Sequence, residues 1–191
     1  MDFGRDYTEE QDQFRIEVRA WIEGNVPEEM KVPIDARDFS KEQYLFWREM
    51  HKDLAKKGWL YPTFPKEYGG GGLTPDHDAI LQEEYDRGRV PRPFNHAVGF
   101  PALLVWATEE QKQKFLVPVL RGEKTMWQKS TEPRSGADLA GYVSRAVRAG
   151  DDWIMTGENT FITGKPRLQW NVEGPDFLFG PMVTDPDAPR H

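Results

Sequence analysis

Apolar positions recur at helical spacing through the first two-thirds of the chain and at strand spacing after it. Phe14, Val18, Trp21 and Ile22 give one apolar face to a helix with Thr8 as N-cap and Glu9 and Glu10 in its first turn. Gly24, Asn25 and Pro27 stop that helix, and residues 26–39 form a proline-containing connection. Ser40 and Gln43 have capping-box spacing and open a second helix, lined by Tyr44, Trp47, Met50 and Leu54 as far as Gly58. Residues 59–72 are aromatic and rich in Pro and Gly, with neither period, and predict an ordered loop. Thr74 as N-cap and Pro75 at the first helical position start a third helix carrying Ile80, Leu81 and Tyr85, which ends in the 88–93 region. Residues 97–106 are apolar and predict a buried helix. Thr108 and Gln111 are a further capping-box pair ahead of Phe115, Leu116, Val119 and Leu120, and Gly122 closes that helix.

Around Arg121–Lys124 the pattern changes. Tyr142, Ser144, Ala146 and Arg148 alternate with Val143, Arg145 and Val147, the period of a strand. Residues 149–152 read as a hairpin turn into Trp153, Ile154 and Met155, and residues 158–163 and 177–183 are further strand candidates. The expected fold class is α+β, with an all-α domain over residues 1–122 and a β-rich domain over residues 123–191.

Composition narrows the picture. A chain of 191 residues with 38% hydrophobic and 30% charged residues can bury a core, and its seven Trp and eleven Phe argue for close packing. The net charge of −7 favours solubility and gives no sign of a nucleic-acid surface, and no apolar run has membrane length. The polar N-terminus lacks the basic and apolar regions of a signal peptide, and the absence of Cys excludes thiolate and disulfide chemistry. A soluble cytoplasmic protein is expected, with neither nucleic acid nor membrane as a partner.

Little in the residue types supplies catalysis. His51, His77, His96 and His191 show no ligand spacing and read as surface or core-edge residues, so no metal site is expected. Glu83 and Glu84 are adjacent on a helix, point to different faces and read as solvated. Gly69 to Gly72 lack both the Lys-Ser/Thr ending of a P-loop and the spacing of a dinucleotide fingerprint.

The stretch that escapes both periods is Trp127-Gln128-Lys129-Ser130-Thr131-Glu132-Pro133-Arg134-Ser135-Gly136-Ala137-Asp138-Leu139. Pro133 fixes its own φ and biases Glu132 away from the α region, so the chain turns here. Gly136 permits a positive φ or a close backbone approach, and the hydroxyls and free amides suit a polar ring edge or a phosphate. An ordinary loop between two layers has the same composition.

This stretch, with Phe161-Ile162-Thr163-Gly164 some thirty residues on, resembles the flavin-binding segment of the acyl-CoA dehydrogenases. Gly58-Trp59 leading to Pro65-Lys66-Glu67-Tyr68-Gly69-Gly70, Thr108 through Lys112 to Gly122-Glu123, and Thr184 through Pro189 are similar to the family in the same order. The resemblance covers nearly the whole chain. It implies an N-terminal helical domain (1–122) followed by an incomplete, β-barrel-like middle domain (123–191), with the family's C-terminal helical domain absent.

The resemblance also implies FAD as cofactor and an acyl-CoA thioester as substrate, which the family dehydrogenates between Cα and Cβ. The family's catalytic base is a Glu of the C-terminal domain, so no catalytic residue is expected within residues 1–191. Carried over by position, the cofactor-binding residues are Gln128, Ser130, Thr131, Gly136, Ala137, Phe161, Ile162 and Thr163, with the Thr131 and Thr163 hydroxyls on the polar edge of the flavin. Three positions depart from the family: Ala137 replaces a ligand-contacting Ser, Arg134 replaces a small residue, and Lys129 adds a positive charge. The expected states are a truncated dehydrogenase inactive alone, a split subunit completed by a complementary C-terminal chain, or an acyl-CoA-binding module. Unpaired strand edges predict a homo- or hetero-oligomer.

Overall fold

In the computed structural model the described residues are 7–32, 40–93, 99–162 and 174–188. The first helix, α1 (Glu9–Asn25), begins at a complete capping box of Thr8 and Gln11. The second, α2 (Lys41–Lys56), begins at the Ser40–Gln43 box, and α3 (Pro75–Gly88) at Thr74 with Pro75 in its first turn. Capping at the spacings read from the sequence fixes where these helices start; burial fixes how they sit. α1 packs on α3, and Val18, Ile22, Trp47, Leu54, Leu81, Tyr85, Phe100, Leu116 and Leu120 form one buried cluster. Each large side chain fully removed from water contributes roughly 1.5–3 kcal/mol before chain entropy is counted. The polar tips are satisfied within it: Trp47 Nε1 donates to the Met30 carbonyl at 2.8 Å and the Tyr85 hydroxyl to that of Trp59 at 2.9 Å.

The loop over residues 59–72 is ordered by backbone pairing. Gly71, Gly72 and Leu73 donate their amides to the carbonyls of Tyr61, Phe64 and Pro62 at 3.0, 2.8 and 2.7 Å. The glycines let the chain fold this closely. A Cβ on Gly71 would lie 2.1 Å from the Gly58 carbonyl oxygen, so neither backbone can back away without breaking the loop. Gly71→Ala is expected to lower stability by about 2 kcal/mol, an overpacking cost. Gly24→Ala, inside α1 with nothing within 4 Å, is expected to raise it by up to about 1 kcal/mol. Thermal melts of the two variants check this; equal midpoints would remove the close-packing explanation.

The apolar stretch 97–106 differs from expectation. Its described part is α4 (Gly99–Trp106), in which Gly99 and Phe100 are buried but Val105 and Trp106 are 66% and 86% exposed. Leu103 and Leu104 pack half-buried against the core as well, while Pro101, Val105 and Trp106 face away from it. After Thr108 the chain makes α5 (Glu109–Gln111), a π turn over Lys112–Leu116 and α6 (Val117–Leu120). Pro118 has no N–H to continue an α ladder, which is a physical reason for the wider turn ahead of it. Gly122 ends the stretch with φ 70°.

Helices thus reach Leu120 and strands begin at Met126. Strand β1 (Met126–Gln128) pairs in parallel with β4 (Phe177–Phe179), and β2 (Arg145–Ala149) pairs antiparallel with β3 (Asp152–Thr156) around Gly150 at φ 66°. A parallel bridge joins Arg145 to Val183. Tyr142, Ser144 and Ala146 are the buried members of the alternating set. Residues 158–162 are not a strand, contrary to expectation, because the Thr160 amide donates to the Thr131 turn rather than to a ladder. Every residue of β3 is exposed, including Trp153, Ile154 and Met155. Helices and strands meet where Phe115 packs edge-on to Phe177 at 5.2 Å. The Asp176 carboxylate also binds the Thr125 amide at 2.7 Å and Lys124 at 2.8 Å there.

No helix among the described residues is long and apolar enough to cross a membrane.

Candidate flavin site

Among the described residues, β1 is paired on one side only as the chain enters the 127–139 turn. Trp127 and Gln128 pair with Leu178 and Phe179, and the Lys129 amide donates to the Phe179 carbonyl at 2.8 Å. Beyond that point the ladder stops. The amides of Ser130 and Thr131 and the Thr131 hydroxyl make no hydrogen bond among the described residues, although both residues are half-buried. The buried indole N–H of Trp127 also has no partner among the described residues. Four donors on five consecutive residues are thus left for a ligand or water, and the buried one, on Trp127, is costly without an acceptor.

Glu132 locks the turn from beneath. It is 3% exposed, and its carboxylate accepts the amides of Val143 and Ser144, both at 2.8 Å, just ahead of β2. Burial disfavours the charge, but the amide donors and the neighbouring Lys129 outweigh it and hold the carboxyl below its ordinary range. Glu132 and Ser135 also exchange backbone hydrogen bonds at 2.9 and 3.1 Å, closing the turn around Pro133. The Ser135 hydroxyl donates to the Asp138 carbonyl, and the Tyr142 hydroxyl donates to that of Gly136 at 2.9 Å.

The second predicted segment arrives from the hairpin. Thr160 donates its amide to the Thr131 carbonyl at 2.9 Å, and the Asn159 side-chain amide reaches the same oxygen at 3.3 Å. Phe161 and Ile162 follow directly; Phe161 has φ 55° and is 86% exposed, so its ring is not a core side chain. Thr163 lies outside the described residues.

The remaining positions divide. Gln128 donates to the Ser130 hydroxyl at 3.1 Å. Gly136 has no positive φ, and a Cβ there would meet nothing within 4 Å, so neither backbone strain nor protein packing requires this glycine. Ala137 and Arg134 are exposed. Lys129 is taken up by Pro181 and Met182, its Nζ 3.4 Å from the Pro181 carbonyl and 2.7 Å from the Met182 sulfur. Burial lowers its pKa, with Glu132 acting in the opposite sense.

Sequence reasoning missed Asn159 and the roles of Glu132 and Glu84. Glu84 was expected in solvent, but it is 1% exposed and gathers Arg15, Arg19 and Arg87 between α1 and α3. His51 is buried, with its Nε2 3.3 Å from the Pro91 carbonyl, while the His77 ring meets the Thr74 hydroxyl at 2.7 Å. His96 and His191 lie outside the described residues, among which no cluster could hold a metal ion.

Comparison with known proteins gives a consistent result. The family model for the acyl-CoA dehydrogenase N-terminal domain matches residues 8–123. The chain is 32% identical over 189 residues to the acyl-CoA dehydrogenase FadE29 of Mycobacterium tuberculosis, covering 97% of this chain and 46% of that protein. It is 37% identical over 147 residues to a 3-(aryl)acrylate reductase of Clostridium sporogenes, covering 69% of this chain and 39% of that protein. Among solved structures, the Tcur3481-Tcur3483 steroid ACAD superposes with a TM-score of 0.75 at 32% identity, over 100% of this chain and 47% of that one. The chain therefore spans about half the length, or less, of these relatives.

Proposed function

The chain belongs to the acyl-CoA dehydrogenase family, and from that premise we propose that it carries one wall of the flavin site of an FAD-dependent acyl-CoA dehydrogenase. The observation that carries this reading is the set of unspent donors at Trp127, Ser130 and Thr131 on a turn that Glu132 holds rigid. Bound FAD would accept hydride from Cβ of the acyl thioester. The residues here would bind and orient it. The Thr131 hydroxyl and the Ser130 and Thr131 amides would meet its polar ring edge, and Gly136 would allow close approach of the ligand, the remaining reason for a glycine there. Phe161 and Ile162 would cover the ring from the second segment, with Thr163 as the second hydroxyl. Ala137 withholds a hydroxyl that the family supplies at this position.

We assign the helical domain to residues 1–122 and the start of the middle domain to residues 123–191. The exposed faces of β2 and β3, with Val147, Trp153, Ile154 and Met155 in solvent, fit a sheet that further polypeptide covers. That polypeptide, from the same protein or a complementary chain, would bring the Glu that removes the α-proton. The two-protein name of the Tcur3481-Tcur3483 steroid enzyme favours the split arrangement.

Titration of FAD into this chain, alone and with the complementary polypeptide, tests the reading. Expected are weak binding alone, tight binding in the mixture, and acyl-CoA-dependent dye reduction only there. Thr131→Ala should weaken flavin binding about tenfold, the loss of one hydrogen bond to a desolvated group. A mixture that forms a complex yet binds no flavin would overturn it.

A further inference from the structure

A second concave site lies on the helical part, away from the 127–139 turn in sequence. The end of α2 and the 66–73 loop border an open cleft of about 580 Å3, lined by Lys52, Lys56, Lys57, Lys66 and Arg121 together with Gly69 to Gly71. Glu123 is its one acidic lining residue. Five cations converge here on a chain whose net charge is −7, so the local field opposes the global one.

The five are not equivalent. Lys52 is paired with Glu49 at 2.8 Å and Lys56 with Asp53 at 2.7 Å. Lys57 is 3.7 Å from Glu17 and sits 4.5 Å over the Trp59 ring. Lys66 and Arg121 have no carboxylate partner among the described residues. Their stems are seated by glycines: a Cβ on Gly72 would lie 2.9 Å from Lys66 Cγ, and one on Gly69 the same distance from Arg121 Cγ. Gly69 and Gly72 thus carry no side chain where these two stems cross the loop.

We propose that this cleft binds a small phosphorylated molecule, with Lys66 and Arg121 as the principal contacts and Lys52, Lys56 and Lys57 completing the field. Its volume falls within the range of small-molecule sites, roughly 300–1,000 Å3, though its lining is cationic where such sites are usually apolar. The glycine amides are spent inside the loop, on the carbonyls of Pro65, Lys66, Tyr61 and Phe64, so this is no backbone cradle and the side chains must do the binding. Single carboxylates already occupy Lys52 and Lys56. A ligand that gains from the cluster must therefore carry more charge per group than a carboxylate, and a phosphoryl dianion does, with a geometry Arg engages through two N–H groups. The inference does not depend on flavin binding.

Calorimetric titration of the chain with inorganic phosphate and pyrophosphate at low ionic strength tests it. Saturable one-site binding is expected, tighter for pyrophosphate, and weakened by added salt as exposed charges are screened. The double variant Lys66→Gln/Arg121→Gln should bind pyrophosphate at least about tenfold more weakly, the loss of two charge-assisted contacts. Both substitutions keep long stems over the glycines, and an unchanged thermal midpoint would show the fold intact. Lys41→Gln, exposed at the start of α2, should bind as the unmodified chain does. Absence of saturable heat, equal affinity in the double variant, or tighter binding of an acidic peptide than of pyrophosphate would each overturn the assignment.

Discussion

Replacing Glu84 by Ala should destabilise the helical part by about 3 kcal/mol, because removing one member of a buried ionic group leaves its partners uncompensated. Arg19 donates to this carboxylate at 2.8 and 3.0 Å, Arg87 at 2.8 Å and Arg15 at 3.2 Å. The three guanidinium groups are themselves 19–43% exposed, so water recovers part of the loss and the cost stays at the lower end for buried pairs. Glu84→Gln keeps the shape and one acceptor and should cost less. The Arg19 contact is the largest influence on the carboxyl; burial opposes it, and Arg87 and Arg15 add to it, leaving a pKa of about 2. A pKa below its unfolded value means stability present above about pH 4.5 and lost as pH falls toward 2. His51 contributes a separate window: burial lowers its pKa to about 4 from 6.5, so stability is present above 6.5 and falls as pH drops toward 4. Denaturant melts across pH should show two successive losses. Glu84→Gln should shrink the lower one, to which Glu132 and Asp176 also contribute, and leave the upper one in place; a lower loss of unchanged size would disconnect Glu84 from acid unfolding.

The same ion cluster shows where sequence reading stops. Capping boxes at Thr8, Ser40 and Thr108 were legible because each is a local pattern of residues three apart. The hairpin from Arg145 to Thr156 was legible through its alternation and turn. Glu84 was not, since its partners Arg15 and Arg19 stand 69 and 65 residues away and are brought to it only by the packing of α1 on α3. Continuous apolarity over 97–106 misled for a related reason: composition says that residues prefer burial, but α4 presents Phe100, Leu103 and Leu104 to the core and leaves Val105 and Trp106 exposed. At the candidate site, the turn around Pro133 was readable from residue types. The bond that joins the two segments, from Thr160 to the Thr131 carbonyl, uses backbone atoms and leaves no trace in residue type. The unspent donors follow from where the ladder ends, at Lys129, which residue types do not encode.

Replacing Glu132 by Ala is the corresponding experiment on the strand-bearing part, and it separates support of the turn from contact with a ligand. The substitution strips the acceptors from two amides, those of Val143 and Ser144, the second of which belongs to a residue only 1% exposed. An orphaned buried donor costs about 1–3 kcal/mol, so the pair should cost about 3 kcal/mol after water reaches the more exposed of the two. The expected readout is local: amide exchange at Val143 and Ser144 should accelerate by at least about tenfold, with the Thr131 turn loosened alongside. Glu132→Gln can still accept from one amide but presents an NH2 to the other, so it should show roughly half the effect. Thr131→Ala removes a hydroxyl that makes no hydrogen bond among the described residues, so exchange at Val143 and Ser144 should stay unchanged while flavin binding falls. The two variants should thus divide cleanly, Glu132 changing protection and binding together and Thr131 changing binding alone. If Glu132→Ala left both amides protected, the carboxylate would not be what holds the turn, and the rigid placement of the Ser130 and Thr131 donors would lose its cause.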